Sequence, residues 1–533
     1  MVRGQEHKNE INPQNPGAWT VPGFFGSKRL VRMKTKMKHT DESWNSLLKR
    51  YSANIIFFGI TIFTPLFMEN GYLNLTQAKA HALYMTALPA AIAFAISLLC
   101  AKKSRHAISS ATKEAAASKV PKLNGLDIIL LGFALTLSVS ALFSRHIAEA
   151  FWGNAGWYAG TAAMLTLILM YFIVSRYYRL RINAWLFVLT ANIVIFLLTV
   201  IHSMGIDVLG LHDNIDPKQF YLYVSTVGNV NWLSGYLCMI LPVFFVFFML
   251  STERNSLILY GTALILGIIN ILLCASESIF VGIWACTFFA LPFICKESRR
   301  IQRLGALILA CGICSLGIGL FPSFAAKRET VNGIFSVILD WRTALIICLL
   351  GCLCCFILPS LWKKMPERMC KRIVILLETA MFLSLLALLF HFFGSYNESW
   401  GNYRGKIWNA SMDLFQNLGF KDKLIGVGPE LLGYYYDGLT SYSLIVLTAH
   451  NELLQWLLTT GILGAALWCS VFLWLIISYI RSRCWEQGGI AFFLPLTAYL
   501  GQAMVNSPNA MNIALFYLFL ALYRNTVCKQ PEA

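Results

Sequence analysis

The sequence predicts an all-α protein that crosses a membrane about 12 to 14 times, with a long extracytoplasmic loop containing short amphipathic helices. Three observations support this fold class. Of the 533 residues, 57% are hydrophobic and only 13% are charged, whereas soluble proteins average about 25% charged residues. Mean hydropathy is +0.62. The apolar residues also form runs close to the roughly 20 residues that a membrane helix needs. These properties exclude a water-soluble globular protein.

The N-terminal segment 1–50 differs in composition from the rest of the chain. It has ten Lys and Arg residues among Gly, Pro, Asn and Gln, and no uninterrupted apolar core. This pattern is typical of a disordered tail and unlike a cleavable signal peptide. We therefore expect a basic cytoplasmic tail here.

Fourteen apolar runs follow the tail and divide the chain into membrane domains. Eleven lie within 51–393 and three within 461–524, separated by the loop 394–460 and followed by a short tail at 525–533. The last run is short, so a re-entrant or interfacial segment is an alternative to a span. The runs are 51–69, 80–100, 126–143, 158–178, 182–203, 230–250, 256–275, 279–295, 304–321, 343–361, 373–393, 461–480, 490–506 and 510–524.

The net charge of +17 is distributed unevenly along the chain. With a cytoplasmic N-terminus, 33 of the 43 Lys and Arg residues fall in or beside cytoplasmic segments. Cytoplasmic loops of membrane proteins are enriched in Lys and Arg. The sequence therefore predicts a multi-pass protein of the cell membrane with both termini in the cytoplasm and the loop 394–460 outside.

The cysteines and glycines give no sign of a cofactor. The 15 cysteines lie mostly in apolar runs or beside basic segments, which makes a disulfide framework improbable. Cys311 and Cys314 have CxxC spacing but lie in an apolar helix without other metal-ligand residues. There is no phosphate-binding glycine loop, dinucleotide fingerprint or nucleic-acid module. We expect no metal, no cofactor and no nucleic-acid partner.

The loop 394–460 is the longest connection in the sequence, at 67 residues. Long loops often carry function. Within 403–418, apolar and aromatic residues recur every three to five positions, which predicts an amphipathic helix at the outer membrane surface. A second helix is predicted to begin near Thr448 as N-cap. Arg404 and His450 would then lie at or near helix starts above the membrane.

An ordered set of motifs runs through this loop between about residues 400 and 465. Arg lies in the first motif, Gly-x-Gly forms the second, and His-Asn lies in the third. The segments are Asn402–Trp408, Gly426–Gly428, Ala449–Leu453 and Gly461–Gly464. Together they resemble the signature loop of the O-antigen ligase and O-antigen polymerase superfamily.

The resemblance implies a metal-independent glycosyltransferase of cell-surface polysaccharide biosynthesis, acting at the outer face of the cytoplasmic membrane. Such enzymes transfer a glycan from a polyprenyl (undecaprenyl) diphosphate lipid to an acceptor hydroxyl. The acceptor is a glycan, a lipid, a wall polymer or a protein, and the sequence does not separate a ligase from a polymerase. The outside loops 204–229 and 322–342 are expected to form the acceptor pocket.

The resemblance also assigns roles that suit the residue types. Arg404 would stabilise the departing diphosphate, because guanidinium is a permanently charged donor to phosphate oxygens. His450 would take the acceptor's proton or hydrogen-bond a phosphate. Asn451 would orient the imidazole or a sugar, and Gly426 and Gly428 would let the backbone approach the substrate. The alternatives are a lipid-headgroup anchor for Arg404 and a capping or loop histidine for His450.

The sequence departs from the family at one position. Members often have a Ser-Arg pair where this chain has Ser276-Glu277-Ser278. A second cation for the phosphates would then come from elsewhere, from one of four unranked candidates, and Lys406 is also assigned to substrate binding. The candidates are Arg145, Lys218, Arg342 and Lys406.

Two other classes of function are compatible with the topology. A transporter that flips lipid-linked oligosaccharides would also have about fourteen helices, but transporters usually show repeated halves and polar residues at the midplane. No convincing repeat is present, and the polar residues gather in one external loop. A non-catalytic partner in an envelope-polysaccharide complex would tolerate loss of Arg404 and His450.

Overall fold

The structure is a computed structural model that describes most of the chain. Nearly all of the predicted N-terminal tail, and most of the C-terminal tail, lie outside the described residues. Those residues are 44–106, 123–153, 157–181, 183–213, 215–320, 333–395, 397–398, 400–436, 446–486 and 488–528.

The first half of the protein is almost entirely helical. A π-helical turn, Gly59–Phe63, joins the first two helices, and a two-residue antiparallel strand pair precedes α8. The helices are α1 (Trp44–Phe58), α2 (Thr64–Leu66), α3 (Leu75–His106), α4 (Gly125–Leu142), α5 (Ile147–Trp152), α6 (Thr161–Tyr177), α7 (Ala184–Ser203), α8 (Val230–Leu250) and α9 (Arg254–Cys274); the strands are β1 (Tyr223–Val224) and β2 (Gly228–Asn229).

The second half contains the remaining spans and the helices of the long loop. A second π-helical turn, Leu353–Ile357, joins two of its helices. The helices are α10 (Ser278–Cys295), α11 (Ser298–Leu320), α12 (Ile334–Leu339), α13 (Trp341–Cys352), α14 (Leu358–Lys364), α15 (Glu367–Ser395), α16 (Trp400–Asn417), α17 (Phe420–Ile425), α18 (Glu452–Ser482), α19 (Ile490–Ala503) and α20 (Ala510–Cys528).

The helix lengths confirm the predicted fold class. Among the described residues, 11 helical segments are long and apolar enough to cross a membrane. Two further apolar helices, Thr161–Tyr177 and Ile490–Ala503, are shorter. The first helical stretch runs through its π-helical turn from Trp44 to Leu66, so it begins before residue 51. The last apolar run forms a full-length candidate span, Ala510–Val527.

Three helices form the centre of the bundle. Nearly every side chain of α19 and α20 is buried, and α8, which contacts both, is buried over most of its length. The apolar stretch of α15 that is long enough to cross a membrane has no buried residue, so α15 lies at the periphery of the bundle. In α8, Pro242 lies inside the helix, which costs one backbone hydrogen bond. The central trio is the scaffold of the candidate site.

The two helices predicted in the long loop are present. The amphipathic helix is α16, and its Ile407 packs in a small core with residues that include Val427 and Leu432. The second helix, α18, begins at Glu452 with Asn451 as its N-cap, so the prediction of Thr448 as N-cap is wrong. The Thr448 hydroxyl instead hydrogen-bonds the Ser507 hydroxyl at 2.6 Å.

A buried ion cluster joins the start of α4 to the ends of α6 and α20. Asp127 Oδ2 accepts hydrogen bonds from Arg176 at 2.9 Å and from Arg524 at 3.2 Å. The Tyr171 hydroxyl donates to Asp127 Oδ1 at 2.8 Å. The Asp127 side chain is fully buried, so it has exchanged water for these partners.

Asp127→Leu is expected to destabilise the protein by about 3–5 kcal/mol, because both guanidiniums would remain buried without their partner. Thermal unfolding of the purified protein, monitored by size-exclusion chromatography, measures this loss of stability. The matched control is Glu367→Gln, which breaks an exposed ion pair with Lys371 and should leave unfolding unchanged. Equal stability of the two variants would contradict a stabilising role for the cluster.

Candidate functional site

The structure brings Arg404 and His450 to the same short link between α19 and α20. Arg404 Nη2 donates to Asn506 Oδ1 at 3.3 Å. The neighbouring residue, Ser507, places its hydroxyl 3.3 Å from His450 Nδ1. Two residues far apart in the sequence are thus held by adjacent residues of a third segment. We call the end of the bundle with this link and the long loop the loop end.

The guanidinium of Arg404 is only partly satisfied by the protein. Its Nη1 donates to the Gly401 carbonyl at 3.1 Å, while its Nε is buried and has no hydrogen-bond partner among the described residues. Burial lowers the pKa of Arg404, and the nearby carboxylate of Glu277 opposes that change. Because a guanidinium titrates far above neutrality, Arg404 remains a cation at physiological pH. The Arg404 guanidinium therefore has an N–H donor available for an anionic group.

His450 is held as a neutral imidazole. Burial, and secondarily the charge of Arg404, lower the pKa of His450 to about 4. Its backbone is left-handed, with φ at +47°, which is uncommon for a non-glycine residue. Such conformations persist only where the surrounding structure imposes them, and they are frequent at functional sites. At neutral pH the ring is therefore unprotonated, and one ring nitrogen has a lone pair.

His450 lines a polar cavity of about 220 Å³ at the loop end. The cavity lies between the starts of α8 and α20 and the end of α19, next to the link that binds Arg404. Six of its lining side chains are amides. The lining residues are Trp157, Asn229, Asn231, Trp232, His450, Tyr499, Gln502, Asn506, Ser507, Asn509 and Asn512.

A chain of hydrogen bonds leads from Arg404 into the bundle. Asn506, the acceptor for Arg404, donates through Nδ2 to the Ser278 hydroxyl at 3.1 Å. The Ser276 and Ser278 hydroxyls are 3.0 Å apart, and Ser276 donates to Asn231 Oδ1 at 2.7 Å. The two serines of the Ser276-Glu277-Ser278 segment therefore support the amide that positions Arg404.

The Glu277 carboxylate of that segment contacts a different part of the protein. Glu277 Oε1 accepts a hydrogen bond from the Ile334 backbone amide at 2.9 Å, at the start of α12. It therefore links α10 to the connection before α13, and it is close enough to Arg404 to affect its pKa. This acid favours the charged form of Arg404.

The other predicted site residues lie around this centre, and their substrate-binding roles stay predictions. Asn451 caps α18 by accepting from Leu454 N at 3.1 Å, and its Nδ2 donates to the Met504 carbonyl at 2.9 Å. Lys406 is exposed on α16. Among the described residues, the cavity lining includes neither of these, nor the glycines Gly426 and Gly428.

The two glycines pack the loop against α18. Gly426 has φ +82°, and a Cβ there would lie 2.3 Å from the Thr459 carbonyl carbon. Its neighbour Val427 donates to the Leu458 carbonyl at 3.0 Å, and Gly428 donates to the Thr459 carbonyl at 3.2 Å. α18 breaks next to this contact, at Gly461, whose φ is +71°. Only glycine allows so close an approach of the two backbones.

All four candidates for a second cation lie at the surface. Arg145, Lys218 and Arg342 are exposed, as is Lys406, and the cavity lining includes none of them among the described residues. Their role as a second phosphate-binding cation stays a prediction. Part of the predicted acceptor loop, 321–332, lies outside the described residues.

The sequence interpretation missed the link between α19 and α20. The segment Val505-Asn506-Ser507-Pro508-Asn509 and the nearby Asn512 place four amide or hydroxyl side chains between two apolar runs. Polar residues within membrane segments are costly and often functional. That interruption was the signal available in the sequence.

The fold and the site together define a polytopic helical membrane protein with a partly buried arginine and a neutral histidine at one end of the bundle. Residues 331–469 match the family model described as O-Antigen ligase. This match confirms the predicted resemblance to the O-antigen ligase superfamily. The match includes both Arg404 and His450. No curated protein matches the chain.

The family indicates membrane glycan biosynthesis of the O-antigen ligase or polymerase type. It implies, in general terms, a lipid-linked glycan donor and a glycan acceptor. Together with the many apolar helices, it also indicates a multi-pass membrane protein.

Proposed function

We propose that this protein is a metal-independent glycosyltransferase that transfers or polymerises glycan from a polyprenyl (undecaprenyl) diphosphate lipid onto an acceptor hydroxyl. One observation carries the proposal: Arg404 and His450 are hydrogen-bonded to the adjacent residues Asn506 and Ser507 beside one polar cavity. The distribution of Lys and Arg supports a position of this site at the outer face of the cytoplasmic membrane.

Arg404 provides the charge that the leaving group requires. When the bond between the anomeric carbon and the diphosphate oxygen breaks, its electron pair stays on the diphosphate. A fixed cation stabilises that developing charge best where water is largely excluded. The partly buried guanidinium is held by Asn506, and its Nε has no hydrogen-bond partner in the described part of the chain, so it meets this requirement.

His450 accepts the proton that the acceptor hydroxyl loses as its oxygen bonds to the anomeric carbon. The hydrogen bond at Nδ1 decides which ring nitrogen is free. If Nδ1 donates to Ser507 and Ser507 donates to Thr448, then Nε2 is the basic nitrogen. Burial of the ring keeps it unprotonated above about pH 4.

Ser507→Ala is expected to lower turnover about two- to tenfold, the size of one net hydrogen bond, with little change in KM. The physical reason is that Ser507 holds the imidazole through Nδ1 but is not itself the base. Initial rates across donor concentrations separate the two constants. Ser507→Thr retains the hydroxyl and should restore most of the turnover. Wild-type turnover in Ser507→Ala would contradict this role.

The test of the proposed function uses the purified full chain in lipid vesicles. The vesicles contain a polyprenyl-diphosphate oligosaccharide, and candidate acceptors are added singly. We expect a new glycosidic bond, detected by mass spectrometry, and a rate unchanged by EDTA. Movement of the donor across the bilayer without a new bond would instead indicate a transporter. Loss of transfer in EDTA with recovery in Mg²⁺ would contradict metal independence.

A further inference from the structure

The cavity beside His450 has a composition that suits a carbohydrate. Amide side chains both donate and accept hydrogen bonds, as sugar hydroxyls do. Six amides line this cavity, together with the Ser507 hydroxyl. Small-molecule sites typically combine a few convergent polar groups with aromatic walls. Here the aromatic residues include Tyr499, Trp157 and Trp232, and the ring centroids of the two tryptophans are 5.9 Å apart.

We propose that this cavity is a subsite for one uncharged hexopyranose ring of the substrate, next to the bond that is formed. The choice of a sugar as ligand rests on the proposed function. The choice of an uncharged single ring rests on the lining, the volume and one unsatisfied amide.

The lining argues for an uncharged ring. Apart from His450, which is neutral at physiological pH, the part of the lining that the structure describes has no Lys, Arg, Asp or Glu. Burying a carboxylate without a compensating charge is costly. A uronic acid ring would meet that cost in this cavity, whereas hydroxyl and acetamido groups would find hydrogen-bonding partners.

The volume argues for a single ring. Pockets for drug-sized ligands hold about 300–1,000 Å³. This cavity, at about 220 Å³, is smaller than that range. A longer glycan would therefore place only one ring here and extend the rest toward solvent.

Asn512 provides the most direct sign of a missing ligand. Its side chain is buried, with 2% relative exposure, and its Nδ2 donates to the Trp232 carbonyl at 3.1 Å. Its Oδ1 has no hydrogen-bond partner among the described residues. A buried acceptor left unsatisfied costs about 1–3 kcal/mol. A ligand hydroxyl that donates to Oδ1 would recover that cost.

The neighbouring helix leaves space for this amide. A Cβ added to Gly235 of α8 would lie 2.3 Å from Asn512 Nδ2 and 3.3 Å from Gln502 Oε1. Any larger residue at position 235 would displace Asn512 from its present position. The amide is thus held at the cavity by the backbone of α8 as well as by its own helix.

The experiment measures sugar binding directly, without catalysis. The full chain in nanodiscs free of sugar detergents is mixed with methyl hexopyranosides, their N-acetylamino forms and the matching methyl uronates. Saturation-transfer NMR gives a Kd for each probe. We expect at least one neutral hexoside to bind with a Kd below 50 mM, and every uronate to bind at least tenfold more weakly, about 1.4 kcal/mol.

Variants show whether binding occurs at this cavity. Asn512→Leu should raise the Kd of the best hexoside at least fivefold. Gln502→Met, a second cavity variant of similar volume, should also weaken hexoside binding. It replaces Asn512→Leu as the test variant if Asn512→Leu fails to fold. The matched control is Asn525→Leu, which removes a buried amide about 20 Å away along the same helix and should leave the Kd unchanged.

The outcomes separate this inference from the proposed function. No hexoside binding at 100 mM by a chain that transfers glycan would overturn the subsite alone. Equal binding of hexosides and uronates, or unchanged binding in both cavity variants, would also overturn it. Hexoside binding that responds to Asn512→Leu in a chain that forms no glycosidic bond would support the subsite and overturn the proposed transfer.

Discussion

Arg404→Ala is expected to lower glycan transfer by about 10²- to 10³-fold, the usual cost of removing one donor that stabilises transition-state charge. The effect should fall mainly on kcat, because the charge on the diphosphate develops as its bond breaks. Single-turnover rates with saturating lipid-linked donor, measured on purified and correctly folded protein, check this expectation.

Two comparison variants separate charge from position. Arg404→Lys keeps a cation but loses the planar arrangement of donors, so it should recover only part of the rate. Lys423→Ala removes a cation of α17 whose ammonium donates to the Gln416 carbonyl of α16. This variant should leave transfer near wild type. A fully active Arg404→Ala protein would show that Arg404 only anchors α16 to lipid headgroups.

His450→Gln is expected to lower the transfer rate by about 10²- to 10⁴-fold, the range for loss of a general base. Glutamine retains a hydrogen-bonding side chain but has no basic nitrogen, so it distinguishes proton transfer from simple positioning. Initial rates in vesicles with donor and acceptor both saturating give the comparison. A rate within a factor of three of wild type would exclude His450 as the base.

The pH profile of the wild-type protein tests the same assignment. Because the pKa of folded His450 is about 4, the rate should be flat near neutrality and fall as pH drops through about 4. An acid limb near pH 6.5 that disappears in His450→Gln would contradict the buried, neutral histidine. Between pH 6.5 and 4 the unfolded chain binds this proton and the folded chain does not, so acidification in that window destabilises the fold.

Much of the local architecture was predictable from the sequence. The amphipathic pattern near Ile407 predicted the helix that became α16, because i, i+3 and i+4 positions share one face. The motif around Arg404 and His450 pointed to the family that the match at 331–469 confirms. The start of α18 was predicted less well, since Thr448 and Asn451 are both plausible N-caps and only tertiary contacts choose between them.

The assembly of the site was not predictable in the same way. Asn506 and Ser507 lie outside the long loop and follow a helix that the sequence shows only as an apolar run. The serines of the Ser276-Glu277-Ser278 segment looked like a lost cation site, yet they support Asn506 through Ser278. Such contacts depend on which spans are neighbours, and periodicity within one span does not reveal its neighbours.

From the amino-acid sequence alone it follows that this chain spans a membrane many times, that one long loop carries the motif, and that Arg404 and His450 belong to it. These properties are local, because each span must supply its own apolar length and satisfy its own backbone hydrogen bonds. The meeting of Arg404 and His450 at one link, and the amide-lined cavity beside them, depend on how the spans pack against one another. The reason is physical: close packing of α8, α19 and α20 selects which polar side chains face each other.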